Sequence, residues 1–126
     1  MESILSVSHL FKKYPAFELK DVSFTIKPGE IMGFIGRNGA GKTTTLKCIM
    51  NLIHYTSGEI KAFDLDMKLN ELNNKQRIGF SLSELNYYPN KTIKQLVTVI
   101  KRFYKNFDDN KFNNLCKLQV FSRQLL

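Results

Sequence analysis

The sequence has little of the material from which stapled or metal-held folds are built. Cys48 and Cys116 are its two cysteines, and His9 and His54 its two histidines. The cysteines lack C-x-x-C spacing, so they read as small buried apolar residues rather than a disulfide or a metal pair. The isolated histidines read as structural or surface residues. Long hydrophobic runs are missing too. None approaches the roughly 18 residues that would span a bilayer, and the opening Met1-Glu2-Ser3-Ile4-Leu5 lacks the charged start of a secretory leader. The expectation is a chain that stays in the cytosol. No internal repeat and no low-complexity linker interrupts it. Negative charge is also scarce, with 11 Asp and Glu against 19 Lys and Arg, a formal balance of +8.

Such a balance fits nucleic acid, an anionic membrane surface or an unbalanced piece of a larger domain. Residues 1 to 63 carry 8 basic against 5 acidic groups and residues 64 to 126 carry 11 against 6, so the second half holds most of the excess. No dense basic block emerges. Lys91, Lys94, Lys101, Arg102 and Lys105 fall mainly on the polar side of an expected helix, without clustered aromatics for base stacking. They read as a solvated face, and no nucleic-acid partner is expected.

What is present is concentrated in one place. A chain of 126 residues, 43% hydrophobic, is long enough for one domain with a core and too short for two. Residues 36 to 43 read Gly36-Arg37-Asn38-Gly39-Ala40-Gly41-Lys42-Thr43, a complete G-x-x-x-x-G-K-T loop. It follows the apolar run Ile31-Met32-Gly33-Phe34-Ile35 and precedes an apolar-periodic stretch, the strand-loop-helix setting of a Walker A motif. Glycines let successive N–H groups turn inward, and the helix that follows aims its positive end at phosphates. Lys42 is placed to reach the β- and γ-phosphates and Thr43 to offer its hydroxyl to Mg²⁺, so the expected ligand is a magnesium nucleoside triphosphate.

Around the loop, Ile4 to Leu10 and Phe17 to Ile26 read as antiparallel strands with one wet face. Lys27-Pro28-Gly29-Glu30 has the chemistry of a type II turn, and Ile31 to Ile35 then reads as a strand buried on both faces. From Lys42 onward Leu46, Ile49, Met50 and Ile53 give a helical stripe. Ser57-Gly58 reads as a turn before a short strand Glu59 to Phe63. A weakly helical stretch with Met67, Leu69 and Leu72 and a strand Arg77 to Leu82 follow. Thr92 with Gln95 forms a capping box at the head of a helix whose apolar positions run from Ile93 through Ile100 to Phe107. Asp108 or Asp109 caps a last helix carrying Phe112, Leu115 and Cys116.

The blocks Leu10-Phe11-Lys12-Lys13-Tyr14, Leu19-Lys20-Asp21-Val22-Ser23-Phe24, Pro28 through Gly36, Asn38 through Thr44 and Ser57-Gly58-Glu59-Ile60, in this order, resemble the N-terminal half of ATP-binding-cassette (ABC) transporter ATPases. The similarity runs from about residue 4 to about residue 115. It looks most like the bacterial ATPase subunits that serve separate permeases in small exporters. The resemblance implies an α/β fold, a P-loop NTPase core with an antiparallel β subdomain and the start of a helical subdomain. Residues 1–85 would be the core half and 86–126 the start of the helical part. It implies Mg²⁺ and ATP as ligands, a membrane-spanning permease and a second ATP-binding subunit as partners, and a position on the inner face of the cell membrane.

Carried over residue by residue, Tyr14 matches the aromatic that stacks on adenine, with a core or turn tyrosine as the alternative and Phe11 and Phe17 as competitors for the stack. Gly36, Asn38, Gly39, Ala40, Gly41, Lys42, Thr43 and Thr44 match the phosphate cradle, Thr44 also at the α-phosphate. Lys42 is the catalytic candidate and Thr43 the Mg²⁺ ligand. Ser83 stands where the family has its Q-loop glutamine, with Glu84 beside it as an alternative ligand, and Tyr87-Tyr88-Pro89 is an expected docking corner. A signature Ser-Gly-Gly segment, an apolar strand ending in Asp-Glu and a switch histidine are not found after residue 90. The expectation is a truncated cassette that binds ATP with little turnover. A nucleotide-binding module without useful hydrolysis, and a cassette ATPase acting on ribosome or DNA, are the competing functions.

Overall fold

The structure is a computed structural model describing residues 2–36, 41–81 and 88–118. It separates into two compact units, residues 1–78 and 79–126. The first is built on a four-stranded antiparallel sheet ordered β2-β1-β3-β4. Strands β1 (Leu5–Lys13) and β2 (Glu18–Ile26) pair with Val7 opposite Phe24 and Leu10 opposite Val22, as alternation of apolar and polar residues dictates. Both strands reach their neighbour through a two-residue turn, Pro15-Ala16, closed by the Tyr14 N–H donating to the Phe17 carbonyl at 2.7 Å.

Strand β3 (Ser57–Ala62) lies on the other side of β1, with Ile60 opposite Val7. It starts two residues earlier than the sequence suggests, because Ser57-Gly58 is not a turn. Gly58, at φ +110°, sits against the His9 carbonyl and the Leu10 Cα, where β1 bulges and His9 itself takes φ +47°. A glycine in a strand often marks a close backbone approach of this kind. Outside the bulge, His9 pairs with Asp21 at 2.7 Å on the exposed surface, and its N–H donates to the Ser23 hydroxyl. The hairpin from β3 to β4 (Leu65–Asp66) turns through Phe63 and Asp64, both at positive φ, the backbone of a tight two-residue hairpin turn.

Helix α1 (Lys42–Ile49) buries Cys48 and Ile49 against this sheet, while Leu46 of the expected stripe stays exposed. Val7, Leu10, Leu19, Cys48, Ile49, Ile60, Ala62 and Met67 form the buried core. Cys48 is wholly buried and free, as the sequence implies, and burial pushes its thiol up despite the charge of Lys12. The helix stops at Met50 because Asn51 takes φ +52°, and the Leu52 and Asn51 N–H groups return to the Lys47 and Cys48 carbonyls. That is a Schellman close, with asparagine where glycine is commoner. A short helix α2 (Glu71–Lys75) follows. Leu69 and Leu72 are exposed there, so the weakly helical stretch contributes Met67 to the core and little else.

The Lys27-Pro28-Gly29-Glu30 turn is formed, with Gly29 at φ +77° and the Glu30 N–H on the Lys27 carbonyl. The segment it launches departs from expectation. Residues 31 to 36 belong to no strand, although Met32 and Phe34 line a cavity of about 120 Å³ with Leu5, Phe24, Ile26, Leu46 and Ile49. Ile31 and Ile35 are 98% and 96% exposed. The alternation of a strand is there, but a strand exists only through its ladder, and among the described residues none pairs with this segment. The expected strand Arg77 to Leu82 is likewise absent over residues 77 to 81, and Leu82 lies outside the described residues. An uncovered apolar row invites self-association. Ile35→Lys is expected to shift the protein toward monomer in concentration-dependent sedimentation, and no change in the sedimentation profile would remove Ile35 from that contact.

The second unit contains α3 (Ile93–Ile100) and α4 (Asp109–Leu118). The Thr92/Gln95 capping box forms with both reciprocal hydrogen bonds, at 3.2 and 3.0 Å. Helix α3 ends at Ile100 in a single 3₁₀ turn, Lys101–Phe103, rather than running to Phe107. Phe107 instead leaves the helix to meet the Phe112 ring at 5.8 Å. Asp108 caps α4 by accepting from the Lys111 N–H at 2.9 Å. Cys116 is buried, whereas Leu115 is half-exposed. Lys101 bridges to Asp109 at 3.1 Å, and no metal-capable cluster of carboxylates, cysteines and histidines occurs among the described residues.

Candidate nucleotide-binding site

Gly41 is the hinge on which the site turns. It sits at φ +97°, in the left-handed region, as the residue from which α1 starts. Its Cα face is closed by two side chains of the β1–β2 hairpin: a Cβ there would lie 2.7 Å from Leu19 Cδ1 and 3.0 Å from Phe17 Cζ. The left-handed dihedral is what requires glycine here, since both near atoms are the far ends of side chains.

From that hinge α1 presents an open N-terminus. The Thr45 N–H donates to the Gly41 carbonyl at 2.8 Å and closes the first turn. The N–H groups of Lys42, Thr43 and Thr44 are left without an intrahelical acceptor. Among the described residues no side chain caps this end and no acidic residue lies in its first turn, so its partial positive charge is uncompensated by them. Thr45 is buried, and its hydroxyl donates back to the Gly41 carbonyl. The exposed Thr43 and half-buried Thr44 remain the hydroxyls available outside the core.

Lys42 closes the loop on itself. Its ammonium donates to the Gly36 carbonyl, so the first and penultimate positions of the G-x-x-x-x-G-K-T segment meet. Arg37, Asn38, Gly39 and Ala40, between them, lie outside the described residues. A helix start with free N–H groups, an adjoining ammonium and an exposed threonine hydroxyl fit a polyphosphate. Thr43 can supply a hydroxyl to a Mg²⁺ that otherwise holds phosphate oxygens and water.

Tyr14 stands at the end of β1, 38% exposed, with Lys12 Nζ 4.9 Å from its ring centroid and the Phe17 ring at 6.5 Å. The structure thus joins Tyr14, through Phe17, to Gly41. Of the competing aromatics, Phe17 is half-buried with its ring edge against Gly41. Ser83 and Glu84, the expected second metal ligands, and Tyr87 lie outside the described residues, while Tyr88 is 69% exposed. Leu19 and Phe17 as packing partners of Gly41 escape sequence reading, because nothing in the local pattern of a hairpin says which distant glycine it covers.

The family model described as ABC transporter matches residues 19–124. The chain belongs to the ABC transporter family. Among curated members, this ABC chain is 42% identical over 97 residues to the ABC transporter ATP-binding protein YtrB of Bacillus subtilis, covering 77% of this chain and 33% of that protein. It is 37% identical over 130 residues to the phosphonates import ATP-binding protein PhnC of Fusobacterium nucleatum, covering 99% and 52%. A solved ATP-binding subunit of an ABC transporter superposes with a TM-score of 0.82 at 24% identity, over 98% of this chain and 53% of that one. The fold class is therefore that of the ABC ATPase domains, an α/β P-loop architecture with an antiparallel sheet. The chain spans a third to about half the length of these relatives.

Proposed function

We propose that this chain binds Mg-ATP at the start of α1, as the nucleotide-holding part of an ATP-binding subunit of an ABC transporter. The observation that carries the reading is the uncapped N-terminus of α1 with Lys42 folded back on Gly36. In the ligand-bound form the Lys42 ammonium exchanges that carbonyl for β- and γ-phosphate oxygens. The free N–H groups of α1 donate to phosphate, with Asn38, Gly39 and Ala40 extending the cradle and Thr44 at the α-phosphate. Thr43 offers its hydroxyl to the metal, and Tyr14 lays its ring on adenine. Bound Mg²⁺ neutralises phosphate charge in such sites. Ser83 or Glu84 is the further metal ligand proposed.

The subunit is proposed to work with a membrane-spanning permease and a second ATP-binding subunit on the inner face of the membrane. No helix among the described residues is long and apolar enough to cross one. Export is the direction the sequence resemblance implies. The parts proposed are residues 1–85 for the nucleotide core and 86–126 for the start of the helical region, whose Tyr88 corner is the docking point.

Binding and turnover are distinct expectations. Hydrolysis requires groups that orient water and complete the metal shell, and among the described residues no group of three or more His, Cys, Asp or Glu could hold a metal ion. Residues 1–126 incubated with Mg²⁺ and γ-labelled ATP are expected to retain nucleotide saturably, with phosphate release no faster than in Lys42→Ala. Failure to retain ATP would sink the binding reading, and release well above the variant's rate would instead assign turnover to this segment.

A further inference from the structure

Tyr14 lies beyond the last residue of β1, directly before the two-residue turn Pro15-Ala16, and a ring at such a place needs an anchor to face a fixed phosphate site. The turn is closed internally by hydrogen bonds between Tyr14 and Phe17, at 2.7 Å and 3.4 Å. Those bonds fix the turn's shape and not its position against α1. Position comes from Leu19, buried in β2, and from Phe17, whose Cζ and Cε1 lie 3.0 and 3.7 Å from where a Gly41 Cβ would stand. Leu19 holds the strand; Phe17 is the one that is hydrogen-bonded to Tyr14 across the turn.

We infer that Phe17 is a positioning residue that sets the distance between the base-stacking Tyr14 and the phosphate cradle. This rests on the Mg-ATP reading above. The Phe17 ring is committed to Gly41 and the core beside it, so it acts through Tyr14 rather than on the base. The ring faces the Gly41 backbone, which is held at φ +97° at the start of α1, and this makes the contact a ruler: backbone does not rearrange as a side chain would. The consequence is selective. Loss of Phe17 costs the contribution of the base and leaves that of the phosphates intact.

The test compares ATP with inorganic tripolyphosphate, each with Mg²⁺, by titration calorimetry on the full 126-residue chain. Base stacking on an aromatic supports about a tenfold loss of ATP affinity for Tyr14→Ala. Phe17→Ala is expected to match it, with tripolyphosphate affinity unchanged, and the double variant is expected to lose no more than either alone. Phe17→Leu, which keeps apolar bulk on Gly41 and is the variant to read if Phe17→Ala does not fold, is expected to recover most of the ATP affinity. Equal losses for both ligands, unchanged ATP binding, additive losses in the double variant, or a Leu variant as weak as a folded Ala variant would each overturn the proposal. Wild-type protein that binds neither ligand would instead overturn the Mg-ATP reading on which it rests.

Discussion

Lys42→Ala is expected to weaken Mg-ATP binding by about 10- to 100-fold, the loss of one or two charge-assisted hydrogen bonds to phosphate. The substitution removes the ammonium and leaves the framework. Alanine is the best helix former, and Lys42 is the first residue of α1, half-buried at a surface end. Among the described residues the ammonium donates to the Gly36 carbonyl. The thermal midpoint should therefore barely move while affinity falls, a separation that a misfolded variant would not show. Lys47→Ala, in the last turn of the same helix, serves as the charge-matched control and should bind nearly as wild type. Titration with a fluorescent ATP analogue reads both. Equal affinities for the two variants would place the phosphates elsewhere.

The largest effect on stability is expected from Gly58→Ala. Its φ of +110° already strains any L-residue, at about 1–3 kcal/mol. The added methyl would also stand 2.5 Å from the His9 carbonyl oxygen and 2.8 Å from the Leu10 Cα, both backbone. Relief requires β1 and β3 to separate where Leu10 and Ile60, both fully buried, anchor the core. A total of about 3 kcal/mol or more is expected, combining dihedral strain with overpacking. Gly29→Ala isolates the first term, because Gly29 has φ +77° but open space around it. Urea unfolding should rank wild type above Gly29→Ala and Gly29→Ala well above Gly58→Ala. If the two variants unfold at the same denaturant concentration, the close approach of β3 to the bulge is not what requires glycine.

Features governed by neighbours in sequence were legible before any fold. The alternation of Val22, Phe24 and Ile26 gave β2, Pro28-Gly29 gave its turn, and Thr92 with Gln95 gave the start of α3. Each is a local interaction, a side-chain period or a bond spanning three residues. Gly58 reads as a turn in the sequence, but the reason for it lies in the bulge at His9, on a different strand. Phe63 at positive φ carries no turn signal, yet the register of Ala62 on Leu65 imposes it. The run Ile31 to Ile35 has the composition of a central strand, but composition cannot supply a partner. Helix α3 ends before its apolar period does because Phe107 packs on Phe112 rather than on a further turn.

The site divides in the same way. The order of residues alone determined the ABC family and carries the phosphate chemistry proposed for Gly36 to Thr44, since a backbone cradle, an ammonium and a hydroxyl at set spacing are properties of consecutive residues. Tertiary structure decided that Thr45 turns inward while Thr43 stays exposed, that Lys42 returns to Gly36, and that Phe17 carries the Tyr14 turn onto Gly41. Those outcomes depend on which distant surfaces meet, and contact between residues far apart in sequence is settled by packing, where local pattern has no say.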